Sequence, residues 1–254
     1  MVILSIPILV KGMIKKRRIN LGRVIFLFAS IVFIIFIFLI SPIFQIREIY
    51  VMGNAKLSED SILAKFDVNL GSNILSFSSQ SAENRIKTFA RVENASIYRQ
   101  FPGKIIINIT ERQNLAAIKI HNNYIIVDNA AMVIDVLDYA PDDLIIVNGL
   151  MFSNFGLGAY LEIKNENSFQ VISIISNAFL IHELSPDSID LHDINDIQLN
   201  FDDLTVLFGN INDLNRKTAA AIAILDYLLA ENSELRGFIH IQDINISPRF
   251  GLLR

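Results

Sequence analysis

The chain has 254 residues, no cysteine and a formal net charge of −4. Without cysteine it has no disulfide, no thiolate metal site and no cysteine nucleophile. The first 23 residues contribute +6 to the net charge, so the rest of the chain carries −10, which argues against nucleic acid as its partner.

An uncharged apolar run over residues 24–40 is the first element along the chain. With residues 41–44 it supplies about 20 apolar positions, enough to cross a bilayer as a helix. Six basic and no acidic residues precede it, which predicts a cytoplasmic N-terminus. The sequence therefore predicts a basic cytoplasmic tail at residues 1–23 and a transmembrane helix over residues 24–43, with the lipid bilayer as a partner.

Two other interpretations of the apolar run are less consistent with its surroundings. A buried core helix would not be preceded by a basic, acid-free flank. A cleaved signal peptide would need a small-residue cleavage site after the run, and the sequence has Ser41-Pro42 there. The anchor is therefore expected to be uncleaved, while translation from Met1 or from Met13 stays open.

Residues 46–111 alternate between strand and helix patterns. Apolar and polar side chains alternate over residues 46–51, as in a strand, and Gly53 lies in the turn behind it. Ser58 is a typical helix N-cap with two acidic residues behind it, and Gly71 is expected to end that helix. A second helix after Ser78 or Ser79, strands at 92–98 and 104–110, and a turn at 101–103 follow. This order predicts two helices on one face of a three-stranded sheet.

The second half of the chain predicts a larger sheet with two helices. Helical periodicity covers residues 169–184 and 213–230, and strand patterns occur at 189, 197–201 and 205–208. Asp202-Asp203 separates two of these strands and predicts a hairpin turn rather than a catalytic carboxylate pair. We expect a mixed α/β domain with a largely antiparallel sheet.

The sequence contains no recognisable catalytic arrangement. The four histidines are scattered without metal-ligand spacing, and no nucleophile or phosphate-binding motif occurs. The basic group of Arg91, Arg99 and Lys104 is more typical of a solvated sheet edge than of a contact patch. We therefore expect a protein that binds partners, without enzymatic activity and without a cofactor.

A set of spaced residues resembles the POTRA domain of the FtsQ/DivIB cell-division family. We call this set the POTRA signature: Val51, Gly53, Asn54, Val92, Arg99, Pro102, Glu111 and Arg112. The resemblance covers about residues 15–250. In the second half it implies that residues 124–130 open the second domain and that strands lie at 142–149 and 236–242. The chain departs from the family pattern at Ala90-Arg91, where the family has a proline, at Ala130 or Ala131, where it has glycine, and at Gln242, where it has arginine.

The resemblance implies an α+β fold with one transmembrane helix, a POTRA domain at residues 44–111 (β-α-α-β-β) and an FtsQ-type β domain at 112–254. It also implies a bitopic inner-membrane scaffold of the divisome at the division septum. Such a scaffold links early and late division proteins through periplasmic contacts and so controls septal peptidoglycan synthesis.

The family's partners suggest where this chain is expected to bind. FtsB-like and FtsL-like division proteins are expected at the last sheet edge and the helix before it, and an FtsK-like recruiter at the POTRA domain. Carried onto this chain, the candidate partner-binding residues are Ile241, Gln242, Asp243, Asn245, Ile246, Ser247, Arg249, Phe250, Arg216, Lys217, Tyr227 and Arg236. Edge strands bind such partners by accepting an added strand.

Two alternative functions are weaker. A POTRA-containing secretion or outer-membrane assembly factor would need a long run of alternating strands after Glu111, where the sequence predicts two amphipathic helices instead. A membrane-anchored periplasmic hydrolase would need a catalytic constellation, which the sequence lacks.

Overall fold

The computed structural model describes residues 21–184, 186–231, 236–243 and 249–252. The predicted basic tail up to residue 20, with both candidate start methionines, lies outside these residues. The fold is α+β and contains two sheets, a three-stranded one and a nine-stranded one.

Helix α1 spans Leu21–Ile40, and a single 3₁₀ turn follows at Pro42–Phe44. Its large apolar side chains are exposed wherever they are described. Among the described residues, no helix combines the length and the hydropathy that a bilayer span requires. The transmembrane helix expected over residues 24–43 therefore stays a prediction.

The small sheet takes its strands from the region of the POTRA signature. Its elements are β1 (Glu48–Met52), α2 (Glu59–Phe66), α3 (Ser79–Ile86), β2 (Val92–Gln100) and β3 (Lys104–Glu111). The strand order is β1-β3-β2, with β1 parallel and β2 antiparallel to β3. The predicted order of strands and helices is confirmed.

Local side-chain chemistry explains where the two helices begin and end. The Ser58 hydroxyl accepts a hydrogen bond from a backbone N–H in the first turn of α2, and Ser78 does the same for α3. Helix α2 ends at Phe66 because Asp67 takes a left-handed conformation with φ of 53°. The prediction that Gly71 ends this helix was wrong, since an aspartate four residues earlier already provides the left-handed cap.

The large sheet mixes parallel and antiparallel pairs. Its elements are β4 (Ala116–Ile120), β5 (Asn123–Val127), β6 (Val133–Leu137), β7 (Ile146–Asn148), α4 (Glu166–Ile181), β8 (Ser188–Asp190), β9 (Ile197–Phe201), β10 (Leu204–Gly209), α5 (Leu214–Glu231), β11 (Gly237–His240) and β12 (Arg249–Leu252). The strand order is β12-β11-β10-β9-β8-β7-β4-β5-β6. The pairs β4–β7, β7–β8 and β10–β11 are parallel and the others are antiparallel.

Helices α4 and α5 pack against each other, and their buried faces join the sheet in one core. Phe179 of α4, Leu225 of α5 and Val206 of β10 are among its buried side chains. The predicted hairpin at Asp202-Asp203 is confirmed as the connection between β9 and β10. The strand expected at 142–149 is shorter, because β7 begins only at Ile146 and the preceding acidic residues lie in a loop.

Candidate functional site

The POTRA signature is centred on a turn that Glu111 holds in place. The Glu111 carboxylate accepts hydrogen bonds from the backbone N–H groups of Ala55, Lys56 and Leu57, at 2.8–3.1 Å. Asn54 closes the same turn by donating from its side-chain amide to the Leu57 carbonyl at 2.9 Å. The turn behind β1 is thus fastened to the end of β3.

Gly53 allows this turn to approach β3. Its φ is +83°, and a Cβ at this position would lie 2.1 Å from the Ile109 carbonyl oxygen. Only glycine adopts such a backbone without strain, and a methyl group has no space here. The V-x-G-N segment of the signature therefore marks the point where the backbone at Gly53 approaches the backbone of β3 at Ile109.

The environment of Glu111 lowers the pKa of its carboxyl group. Burial on its own raises this pKa, since it disfavours the charged form. The hydrogen bonds from Leu57, Ala55 and Lys56, and then the positive charge of Arg91, act in the opposite direction and outweigh burial. The net pKa lies below the ordinary value of 4.5, so the group is ionised at neutral pH.

Arg112 and Arg91 connect the small sheet to the large one. The Arg112 guanidinium donates to Asp128 at 2.7 Å, in the turn between β5 and β6. Arg91 donates to Asn114 and to Asp135 of β6, each at 3.1 Å. Both arginine side chains are largely buried, and so is Asp128, whereas the side chain of Asp135 is 45 % exposed.

The remaining signature residues also make internal contacts. Arg99 donates to the backbone oxygen of Phe77, and its guanidinium lies 4.5 Å from the Phe77 ring centroid. Val92 is buried, Val51 is half-buried, and Pro102 lies in the β2–β3 turn. The ammonium of Lys104 lies 4.0 Å from the Tyr50 ring centroid. The group of Arg91, Arg99 and Lys104 is thus engaged within the protein.

The C-terminal part of the large sheet includes β12, a strand at one end of that sheet. Strand β11 runs parallel to β10, and β12 pairs antiparallel with β11, with Phe250 opposite Ile239 and Arg249 opposite His240. Among the described strands, β12 pairs with β11 alone and forms one end of the sheet. An end strand presents unpaired backbone N–H and C=O groups to a further strand.

The predicted partner-binding residues around this edge are spread over the core, the surface and the undescribed part. Ile241 is buried in the core and donates its backbone N–H to Leu207. Gln242 and Asp243 are exposed, and the position of a Cβ on Gly209 would lie 3.1 Å from Gln242 Cγ. Asn245, Ile246 and Ser247 lie outside the described residues.

Helix α5 and the start of β11 place three predicted contact residues on the surface. Arg216 and Tyr227 are eleven positions apart, about three helical turns, and therefore share a face of α5. Tyr227 is 61 % exposed, and Arg216 lies 3.8 Å from Asp213. Arg236 pairs with Asp203 in the β9–β10 turn at 2.9 Å, and both side chains are exposed.

Lys217 does not lie on this surface, in contrast to its assignment as a partner contact. Its ammonium donates to the backbone oxygens of Phe208 and Asn210 at 3.0 and 2.9 Å, and the residue is 2 % exposed. Burial lowers the pKa of Lys217 below its ordinary 10.5, although Asp213 and Asp243 act in the opposite direction. Lys217 therefore joins the end of β10 to α5 from inside.

Comparison with known proteins gives one domain profile that matches the region of the small sheet, and relatives that align with most of the chain. The profile of the POTRA domain, FtsQ-type, matches residues 44–112. The cell division protein DivIB of Clostridium tetani is 25 % identical over 201 residues, which cover 77 % of this chain and 74 % of that protein. DivIB of Clostridium botulinum strain Hall is 24 % identical over 218 residues, which cover 84 % of both chains.

The chain carries an FtsQ-type POTRA domain and is homologous to the DivIB proteins. A third relative, DivIB of Clostridium acetobutylicum, is 25 % identical over 185 residues, covering 72 % of this chain. The resemblance drawn from the signature is therefore confirmed.

The structure shows the local environment of two residues that depart from the DivIB/FtsQ pattern. Ala90, where the family has proline, lies beside Gly158, at which a Cβ would be 3.6 Å from the Ala90 Cβ. The loop that contains Gly158 therefore lies against this end of the POTRA domain. Ala131, one of the two alanines at the position where the family has glycine, has φ of +60°, a left-handed conformation that glycine adopts without strain.

Sequence analysis missed the partners of the two connecting arginines. Asp135 and Asn114 hold Arg91, but each is an isolated polar residue beside a strand, without any motif around it. Among the described residues, no three His, Asp or Glu side chains converge to hold a metal ion. The described surface of this DivIB homologue presents a backbone edge at β12, charged side chains and apolar patches.

Proposed function

We propose that this chain is a divisome scaffold that works by holding other division proteins together, without catalysing a reaction. Its homology to the DivIB cell division proteins over most of the chain supports a role in cell division. The observation that carries the mechanism is the position of β12, which ends the nine-stranded sheet and pairs with β11 alone among the described strands. Such an edge accepts a partner's strand by main-chain hydrogen bonds.

In this proposal residues 24–43 anchor the chain in the cytoplasmic membrane, with the N-terminus inside and both sheets on the outer side. The support is the charge asymmetry of the sequence around the apolar run. The exposed apolar side chains of α1 also favour a lipid environment, because water disfavours a surface of this kind. The anchor would keep the partner-binding edge close to the membrane at the septum.

The proposed partners of the edge are the FtsB-like and FtsL-like proteins of the same organism. Gln242, Asp243, Arg249 and Phe250 mark the edge, and Arg216, Tyr227 and Arg236 the adjoining surface. Arg216 also lines a groove of about 410 Å³ between the starts of α4 and α5. Ile241 and Lys217 support this surface from the core. For the POTRA domain we propose recruitment by an FtsK-like protein.

The test is binding of the full-length protein, in nanodiscs, to the extracytoplasmic segments of the FtsB-like and FtsL-like proteins. One variant ends at Asp243 and therefore lacks β12, and its matched control ends at Leu252 and keeps the strand. We expect the first variant to lose binding and the control to keep it, while both retain the thermal unfolding midpoint of the full chain to within a few degrees.

Two outcomes would reject parts of the proposal. Equal binding by both truncations would remove β12 as the docking strand. Absence of binding by the folded full-length protein would remove the scaffold role. The alternative of a secretion or outer-membrane assembly factor would then become the stronger interpretation of the POTRA domain.

A further inference from the structure

A groove lies at the N-terminal ends of three adjacent parallel strands, β4, β7 and β8. Its volume is about 310 Å³, at the lower end of the range of ligand pockets. The residues just before these strands line one side, and the C-terminal end of α4 lines the other. Strand β8 is four strands away from β12, roughly 19 Å at the usual strand spacing. The groove is therefore separate from the proposed docking edge.

The floor of the groove is apolar and contains one unsatisfied hydroxyl. Leu115 and Ile145 are buried there, and Leu180 and Leu184 form part of the wall. Ser176 of α4 is 3 % exposed, and its hydroxyl has no hydrogen-bond partner among the described residues. A buried polar group without a partner costs free energy, so such a group at a groove indicates that a ligand supplies the partner.

The rim of the groove is negatively charged. Asp142, Asp143 and Asp187 line it, and all three are exposed. Helix α4 has no basic residue in its last turn, so the negative end of its dipole points to the same region without a compensating side chain of its own. Lys56 is near Asp143, at 3.9 Å. The remaining charge is complementary to a cationic group.

The apolar surface continues beyond the groove. Leu180 is 72 % exposed and Ile181 is 77 % exposed, although both belong to the last turn of α4. An apolar floor that extends onto an exposed helix end offers contact to an elongated ligand rather than to a single compact molecule. Together with the acidic rim, this surface fits an extended peptide with alternating apolar and basic side chains.

We propose that this groove is a second docking site, which binds a short peptide segment of a partner protein carrying a bulky aliphatic side chain next to lysine or arginine. The aliphatic side chain fills the space above Leu115 and Ile145. The Ser176 hydroxyl hydrogen-bonds to the peptide backbone, and the basic side chain faces Asp142 and Asp143. This proposal does not depend on strand addition at β12.

The experiment measures fluorescence anisotropy with the full-length protein in nanodiscs of zwitterionic phosphatidylcholine. The probe is a fluorescein-labelled heptapeptide, Ser-Leu-Lys-Leu-Arg-Ile-Ser. The matched peptide has glutamate in place of lysine and arginine. We expect saturable binding of the basic peptide and at least tenfold weaker binding of the acidic one, because the rim repels it.

Three variants locate the binding in the groove. Leu180→Ser and Asp142→Lys change exposed positions, and we expect each to weaken binding about five- to tenfold. Their controls are Leu157→Ser and Glu93→Lys, which are exposed and do not line the groove. Ser176→Ala should weaken binding roughly two- to fivefold without lowering the thermal unfolding midpoint, because it removes an unsatisfied polar group.

Several outcomes would overturn the proposal. These are the absence of saturable binding, equal binding of both peptides, and equal losses in the groove variants and their controls. Competition by free argininamide as strong as that of the unlabelled peptide would assign the groove to a small cation instead. The variant that ends at Asp243 should keep peptide binding, so failure of the β12 proposal and failure of this one are distinguishable.

Discussion

The signature turn of the POTRA domain and the C-terminal edge of the large sheet differ in how their polar groups are used. In the signature turn, Glu111 accepts three backbone N–H donors and Gly53 lets two backbones touch. At the C-terminal edge, β12 pairs on one side among the described strands, and Tyr227 and Arg236 are exposed. Motif residues therefore stabilise the domain, whereas the proposed recognition surface consists of residues outside any recognisable motif.

The difference has a physical cause. A motif is recognisable when geometry allows only one residue type, as at a left-handed glycine or a carboxylate that satisfies several N–H groups. A strand edge binds through its backbone, which every residue type supplies, so its side chains are less restricted. Substitutions in the signature should therefore change stability, and substitutions at the edge should change binding.

The largest effect on stability is expected from Gly53→Ala. The new methyl group would lie 2.1 Å from the Ile109 carbonyl oxygen, so β1 and β3 must move apart. We expect a loss of roughly 2–4 kcal/mol, measured by thermal or denaturant unfolding. Gly71→Ala is the matched control, because Gly71 has a similar φ of +84° but open space around it. Equal losses in both variants would show that backbone strain, not the close approach, matters at Gly53.

Glu111→Gln should be the next most destabilising change. The folded-state pKa of Glu111 lies below 4.5, so its charge stabilises the fold above that pH, and this contribution is lost as the pH falls through the folded pKa. At pH 7 we expect a loss of about 1–3 kcal/mol that shrinks below pH 4.5. The measurement is unfolding free energy between pH 3 and pH 8, with exposed Glu93→Gln as control. A difference independent of pH would contradict the assigned role of the charge.

Arg91→Ala should cost about 1 kcal/mol, because it removes the connection to Asn114 and Asp135. The guanidinium of Arg91 is largely buried, but the Asp135 side chain is 45 % exposed. Solvent screening therefore limits how much the ion pair contributes to the free energy of unfolding. A double-mutant cycle with Asp135→Ala, measured by unfolding, should give a coupling of about 0.5–1 kcal/mol. Strictly additive losses would mean that the two side chains do not interact in solution.

The smallest stability effect is expected from Tyr227→Ala, on the edge side of the comparison. Tyr227 is 61 % exposed, so we expect a change within about 0.5 kcal/mol. Binding of the FtsB-like segment should nevertheless weaken about five- to tenfold, since exposed aromatic residues often anchor interfaces. Asp226→Asn, its exposed neighbour on α5, should leave both quantities unchanged. Unchanged binding in Tyr227→Ala would remove this face of α5 from the proposed interface.

Part of the candidate site could be predicted from the sequence and part could not. The edge position of residues near the C-terminus came from the family resemblance, which also implied the strand at residues 236–242. The sequence analysis did not recognise that Lys217 donates to Phe208 and Asn210. Its spacing of three residues from Leu214 and four from Ala221 nevertheless places it on the buried face of the helix. The groove with Ser176 combines residues from four separated segments and leaves no pattern in the chain.

The sequence by itself determined the kind and order of the elements in the POTRA domain, the two helices of the second half and the β9–β10 hairpin, but not β4, β6 or β12. It also identified the family of the POTRA domain. Helix caps, hairpin turns and apolar periodicity act between near neighbours, so they are visible in the chain. Only the tertiary structure decided which groups satisfy Glu111, since its donors lie 54 to 56 residues away. It also decided that β12 ends the sheet and that the acidic rim meets the end of α4. Long-range pairing sets these features, and a local pattern does not encode it.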